Sequence, residues 1–205
     1  MRWLDFLFPP RVDEITLRDI SIDDFLAHMR VRLLPETRPE TIGLLPFTDA
    51  QVRAAIHEAK YHGSAHAFEL LSATLTEYLR DADDGLHKPI IVPIPLGSKR
   101  LKERGFNQVE EVACRALRSL GEEWGCALDT TLLERTRETA SQVSLPREKR
   151  EENMRGAFRA TRRADPARTY IVIDDVITTG ATLQSAIGAL KEAGVAHIIP
   201  LALTH

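Results

Sequence analysis

The chain reads as an α/β protein, a parallel sheet flanked by helices behind a mainly helical N-terminal region. Three observations predict this. From Pro89 onward, short apolar runs alternate with helical patterns, as strand-crossover-strand units require. "TYIVIDDV" (Thr169–Val176) is a near-continuous apolar run, the mark of a strand buried on both faces. "AHIIPLALT" (Ala196–Thr204) repeats it after an intervening helix pattern.

The elements follow in chain order. Residues 1–48 hold Pro9, Pro10, Pro35, Pro39 and Pro46 and read as a separate N-terminal segment. Within it, "LRDISIDDFLAHMRVRLL" suggests one helix capped at Ser21, with acids in its first turn. Residues 49–205 form the main domain, with its core from residue 89. "TDAQVRAAIHEAKYHG" is a helix capped by Thr48 or Asp49, with Val52, Ile56 and Ala59 on one face and Gly63 as its stop. "SAHAFELLSATLTEYLRD" starts a second helix at Ser64 and buries Phe68, Leu71, Leu75 and Leu79. "PIIVPIP" (Pro89–Pro95) is a strand. "LGSKRLKERG" reads as a basic loop, and "FNQVEEVACRALRSLGEEWG" as an amphipathic helix with Cys114 facing the core. "ALDTTLLER" is a candidate strand. "TRETASQVSLPREKREENMRGAF" is polar and aperiodic, a long loop. "TLQSAIGALKEAG" is a helix ended by Gly194.

Composition excludes several functions. Hydrophobic residues make up 43% and charged residues 28% of 205, an ordinary globular balance. No apolar run nears the roughly 20 residues that span a bilayer, and "MRWLDFLFPPR" is too short and too interrupted for a signal peptide. A cytoplasmic protein without a membrane role is expected. Two cysteines cannot build a four-thiolate zinc site, so no zinc is expected. The net charge of −3 argues for weak or no direct DNA binding, any contact coming from local clusters at 99–104 and 147–163. His57, His62 and His66 cluster in sequence, but Gly63 breaks the helical spacing, so they read as exposed or capping residues rather than metal ligands.

The chemistry concentrates in "YIVIDDVITTGAT" (Tyr170–Thr182). Asp174 and Asp175 end a strand where ligands of parallel sheets bind. Adjacent like charges repel, so the pair calls for a cation or a diol. Thr178, Thr179, Gly180, Ala181 and Thr182 then lead into a helix, whose hydroxyls and free amides suit a phosphate monoester. No Gly-Lys pair exists for a P-loop. An ordinary capped turn explains one Thr, not the whole set.

This stretch resembles the phosphoribosyl-pyrophosphate (PRPP) signature of type I phosphoribosyltransferases: apolar residues, two acids, two apolar residues, then T-T-G-x-T. "PIPLGSKRLKERGFNQVEEVA", "LERTRETASQVSLPREKREENMRGAF", "IHEAKYHG" and "LDFLFPPR" further resemble the ComF (competence protein F) family. The likeness implies a type I phosphoribosyltransferase fold and a donor site of defined parts. Asp174 and Asp175 would hold the ribose hydroxyls, act as the catalytic pair and carry Mg²⁺ directly or indirectly. Thr178–Thr182 would hold the 5′-phosphate. Ser98, Lys99, Arg100, Arg135 and Arg137 would neutralise pyrophosphate, and the loop with Ser141 and Gln142 would close over the centre. PRPP or a related compound is the implied ligand. The acceptor is unspecified; its pocket is expected from residues 1–88. The resemblance equally admits a non-catalytic PRPP- or phosphate-binding module with a DNA-processing partner in DNA uptake. A homodimer is left open. One departure stands out: relatives often carry zinc-ribbon cysteines after the "FPPR"-like stretch, and here "VDEITLRDISIDDFLAHMRVRLLPETRPETIG" has none.

Overall fold

The computed structural model describes residues 11–82, 88–137, 154 and 156–205. Its main sheet has six strands in the order β1-β2-β8-β7-β3-β4. These are β1 (Arg32–Leu34), β2 (Thr41–Leu45), β3 (Ile90–Pro93), β4 (Ala127–Leu128), β7 (Thr169–Val176) and β8 (His197–Thr204). All neighbours run parallel except β1, which pairs antiparallel with β2 at the edge. A separate antiparallel pair joins β5 (Leu133–Arg135) to β6 (Phe158–Ala160).

Strand parity divides the core. Ile171, Ile173, Leu201 and Leu203 pack into one cluster with α3 (Ala50–His57), α4 (Ala65–Asp81) and α6 (Gln108–Leu120). Tyr170, Val172 and Ala202 face the opposite cluster, built with α7 (Ala181–Glu192), β5 and β6. Side chains alternate along a strand, so one continuous apolar run supplies both cores. The buried-strand reading of "TYIVIDDV" and "AHIIPLALT" therefore matches an α/β architecture.

The N-terminal region differs from expectation. Residues 32–45 were expected in a separate segment, yet β2 pairs parallel with β8 and extends the main sheet. The helix expected there is shorter than the stretch 17–34, and a further short helix precedes it. Arg11 precedes α1 (Val12–Leu17), and Ser21 starts α2 (Ile22–Leu26) by accepting a bond from Asp24 N. The cap is where the sequence places it, but it begins a second helix. The apolar tail of that stretch becomes β1 because β2 offers it an open edge.

"LGSKRLKERG" is another correction. It forms α5 (Ser98–Arg104), closed by Gly105 at φ +80°. Lys, Arg, Leu and Glu are good helix formers, but α5 buries no residue, so no apolar stripe announces it. "ALDTTLLER" does not form one strand. Asp129 accepts bonds from Thr131 N and Leu132 N, turning the chain between β4 and β5. Cys114 is half-buried rather than fully inside.

Two caps match their readings. Asp49, rather than Thr48, caps α3 through Gln51 N and Val52 N, and Ser64 caps α4 through Ala67 N. Between them the chain does not simply stop. After His57 it widens into a π-turn, Glu58–His62, which Gly63 closes at φ +60°. Such turns recur at functional sites because they re-aim side chains. No helix among the described residues is long and apolar enough to cross a membrane.

Candidate functional site

A cleft of about 610 Å³ opens beyond the carboxyl ends of β3 and β7. Asp174, Asp175, Thr178 and Thr182 line it from one chain segment, and Arg100 and Arg135 from two others. Its far wall comes from the N-terminal half: Phe47, Arg53, His57, Lys60 and Tyr61.

The two aspartates are not equivalent. Parity puts Asp174 on the α7 face and Asp175 on the face of α3, α4 and α6. Asp175 is buried and doubly held. Its Oδ2 lies 3.0 Å from Lys60 Nζ and accepts a 2.7 Å bond from Gln108 Nε2. Gln108 in turn accepts from Arg104 Nη1 at 2.9 Å, and the Arg104 guanidinium stacks 5.1 Å above the Tyr61 ring. Asp174 accepts a 2.9 Å bond from the Asp175 backbone N–H. Burial, reinforced by the charge of Asp175, pushes the Asp174 carboxyl up to about 7, against the pull of that N–H, Lys60 and Arg135.

The loop after β7 has separate faces. Thr178 and Thr182 border the main cleft. Thr179 is buried, and its hydroxyl lies 3.5 Å from Ala181 N. Thr179 and Ala181 border a second cavity of about 490 Å³ on the α7 side. Gly180 has φ +72° and caps α7. A Cβ there would sit 2.8 Å from the Glu36 carbonyl oxygen, so the loop passes the N-terminal segment too closely for any side chain.

The expected cationic set is only partly assembled. Arg100, on the inner side of α5, and Arg135, at the end of β5, reach the cleft. Ser98 and Lys99 are exposed on the outer side of α5, where Lys99 lies 4.0 Å from Glu103. Helical geometry explains the difference, since neighbours on a helix face different directions. Arg137 is exposed and is not among the cleft-lining residues. Ser141 and Gln142 lie outside the described residues.

Lys60 and Gln108 are functional candidates that site-by-site reading passes over, and Arg104, one of the cations after the "IIVPIP" strand, joins them by holding Gln108. "EAKYHG" and "RGFNQ" contain them, but nothing local says they converge on Asp175. Of the histidines, His57 and His62 stay together, with ring centroids 5.6 Å apart, and His66 turns elsewhere. His66 contacts the Leu17 carbonyl oxygen at 3.1 Å. His57 and His62 flank buried Glu58, whose carboxylate is gripped by Arg11 at 2.9 and 2.7 Å. That grip, chiefly the Arg11 hydrogen bonds, holds Glu58 below the usual carboxylate range.

The donor set, paired carboxylates, is of the kind a hard divalent cation takes, and a cationic ammonium already stands beside Asp175. Asp174 and Asp175 are the carboxylates that could hold such an ion, which would supply local charge neutralisation.

Fold and cleft together define an α/β protein with an acidic, Thr-lined cleft at its strand ends. No family model matches the chain. DNA utilization protein YhgH of Escherichia coli (strain K12) is 33% identical over 147 residues, covering 70% of this chain and 62% of that protein. Its namesake in Salmonella typhi is 31% identical over the same length. Competence protein F of Haemophilus influenzae is 32% identical over 114 residues, 53% of this chain and 46% of its own. Over these stretches the chain is similar to both kinds of protein, in keeping with the resemblance to the ComF (competence protein F) family. It spans about three-fifths of the length of the YhgH relatives, 62%.

Proposed function

We propose that the cleft binds PRPP with Mg²⁺ and that the chain has a type I phosphoribosyltransferase fold, transferring phosphoribosyl to an acceptor. One observation carries this reading: Asp174, Asp175, Thr178, Thr182, Arg100 and Arg135 line one cleft beyond the strand ends. The aspartates hold the ribose diol and the metal. Thr178, Thr182 and the amides at the start of α7 hold the 5′-phosphate. Arg100 and Arg135 stabilise the negative charge that develops on departing pyrophosphate, the effect that contributes most in such sites. No covalent nucleophile is required. Lys99, Ser98 and Arg137 are assigned no direct contact. The protein acts in the cytoplasm, alone or as a homodimer.

The test is a calorimetric titration of PRPP with magnesium into the wild type, Asp174→Asn and Asp175→Asn. Loss of binding in the variants supports the assignment, and equal binding by all three rejects it.

A second reading has its own support. The relatives are named for DNA utilization and competence, which favours an accessory role in DNA uptake or processing beside a protein partner. The chain would then bind PRPP or phosphate without turnover. Its net charge of −3 keeps direct DNA contact weak. Pyrophosphate release across a panel of nitrogenous bases separates the readings: turnover with any base favours the enzyme, and binding without turnover favours the module.

A further inference from the structure

Lys60 has no place in the PRPP signature, yet its ammonium lies 3.0 Å from Asp175. We propose that Lys60 is a built-in counter-cation, which neutralises Asp175 while the cleft is empty and yields its place to a divalent cation. This rests on the magnesium reading above.

Three features set the pair apart from a structural salt bridge. Both partners line the cleft, where a ligand would meet them. Asp175 needs a cation when nothing is bound, because it is buried next to a second carboxylate and loses water on folding. Lys60 also sits on the π-turn Glu58–His62, between α3 and α4. It can swing on its four-carbon stem without unwinding either helix. Gln108 would stay on Asp175 Oδ2 after Lys60 leaves, so the carboxylate keeps its orientation while losing its counter-charge.

The consequence is competition between like charges. An ammonium and a divalent ion a few Å apart in a water-filled cleft repel by enough to weaken metal binding about tenfold. Removing the charge should therefore tighten metal binding, the opposite of what removing a ligand or a structural support does.

The experiment titrates Mn²⁺, followed by the EPR signal of the free ion, into nucleotide-free full-length protein. Lys60→Met should bind Mn²⁺ about tenfold more tightly than wild type. Lys60→Arg, which keeps the charge, should bind as wild type does. Gln108→Leu, which removes a bond to Asp175 but no charge, should not bind more tightly. Lys60→Gln repeats the test should the methionine variant fold poorly, and a thermal melt in EDTA checks folding of each. Wild-type or weaker affinity in folded Lys60→Met or Lys60→Gln, with Asp174→Asn abolishing binding, overturns the proposal and leaves the magnesium reading intact. Unchanged binding in Asp174→Asn overturns both.

Discussion

Asp174→Asn should stabilise the ligand-free protein while destroying its ligand site. The wild-type carboxyl is lifted from 3.8 to about 7 by burial and by Asp175. For an acid, a raised folded-state value means that ionisation opposes folding. The penalty is absent below 3.8, where the group is protonated folded or unfolded. It grows as the pH climbs through the window up to about 7 and is complete above it. At about 1.4 kcal/mol per tenfold change, the ceiling is on the order of 4 kcal/mol. The cleft admits water, so roughly half of that, ~2 kcal/mol, is the working expectation. In a domain of this size that raises the Tm by about 4–8 °C. Asparagine keeps an oxygen to accept the Asp175 N–H, so no bond is lost. Thermal melts of both proteins in EDTA should show a large gain at about pH 8 and a much smaller one at about pH 5. An asparagine variant no more stable than wild type at the higher pH, or a gain that ignores pH, refutes the reasoning.

Three further outcomes are expected. Gly180→Ala should lower stability by about 1–3 kcal/mol, read by urea unfolding, because the left-handed backbone and the Glu36 carbonyl both resist a Cβ. Glu58→Gln should lower the Tm near neutral pH; since Glu58 is held below its ordinary 4.5, its contribution is present above that value and fades as the pH falls through the depressed one, so the two melting curves should converge in acid. Arg100→Ala should weaken PRPP binding about 10- to 100-fold by calorimetry, as loss of a charge-assisted contact does, whereas Lys99→Ala, on the outer side of α5, should leave it unchanged.

Legibility in the sequence followed burial. β7 and β8 are packed on both faces, so their apolar runs were unmistakable. The Asp49 and Ser64 caps were visible because their bonding partners lie within three residues. α5 escaped notice because it buries nothing, and a helix without an apolar stripe looks like a polar loop. β1 and β2 escaped because their pairing depends on β8, far along the chain. The candidate site divides in the same way. Asp174, Asp175 and the Thr178–Thr182 loop form one contiguous word. Lys60, Arg104 and Gln108 come from two other stretches and meet Asp175, directly or through one another, only once the helices pack. Which of Ser98, Lys99 and Arg100 points inward is a question of helical phase, which a stretch without an apolar stripe does not reveal.

The opposite facing of Asp174 and Asp175 has a mechanical corollary. One side chain belongs to the layer of α3, α4 and α6, the other to the layer of α7. Both carboxylates line one cleft beyond the strand ends, so a ligand gripping both would pin the two layers together there. Peeling either layer away would mean tearing the ligand out, so occupancy should slow amide exchange in α6 and α7 alike.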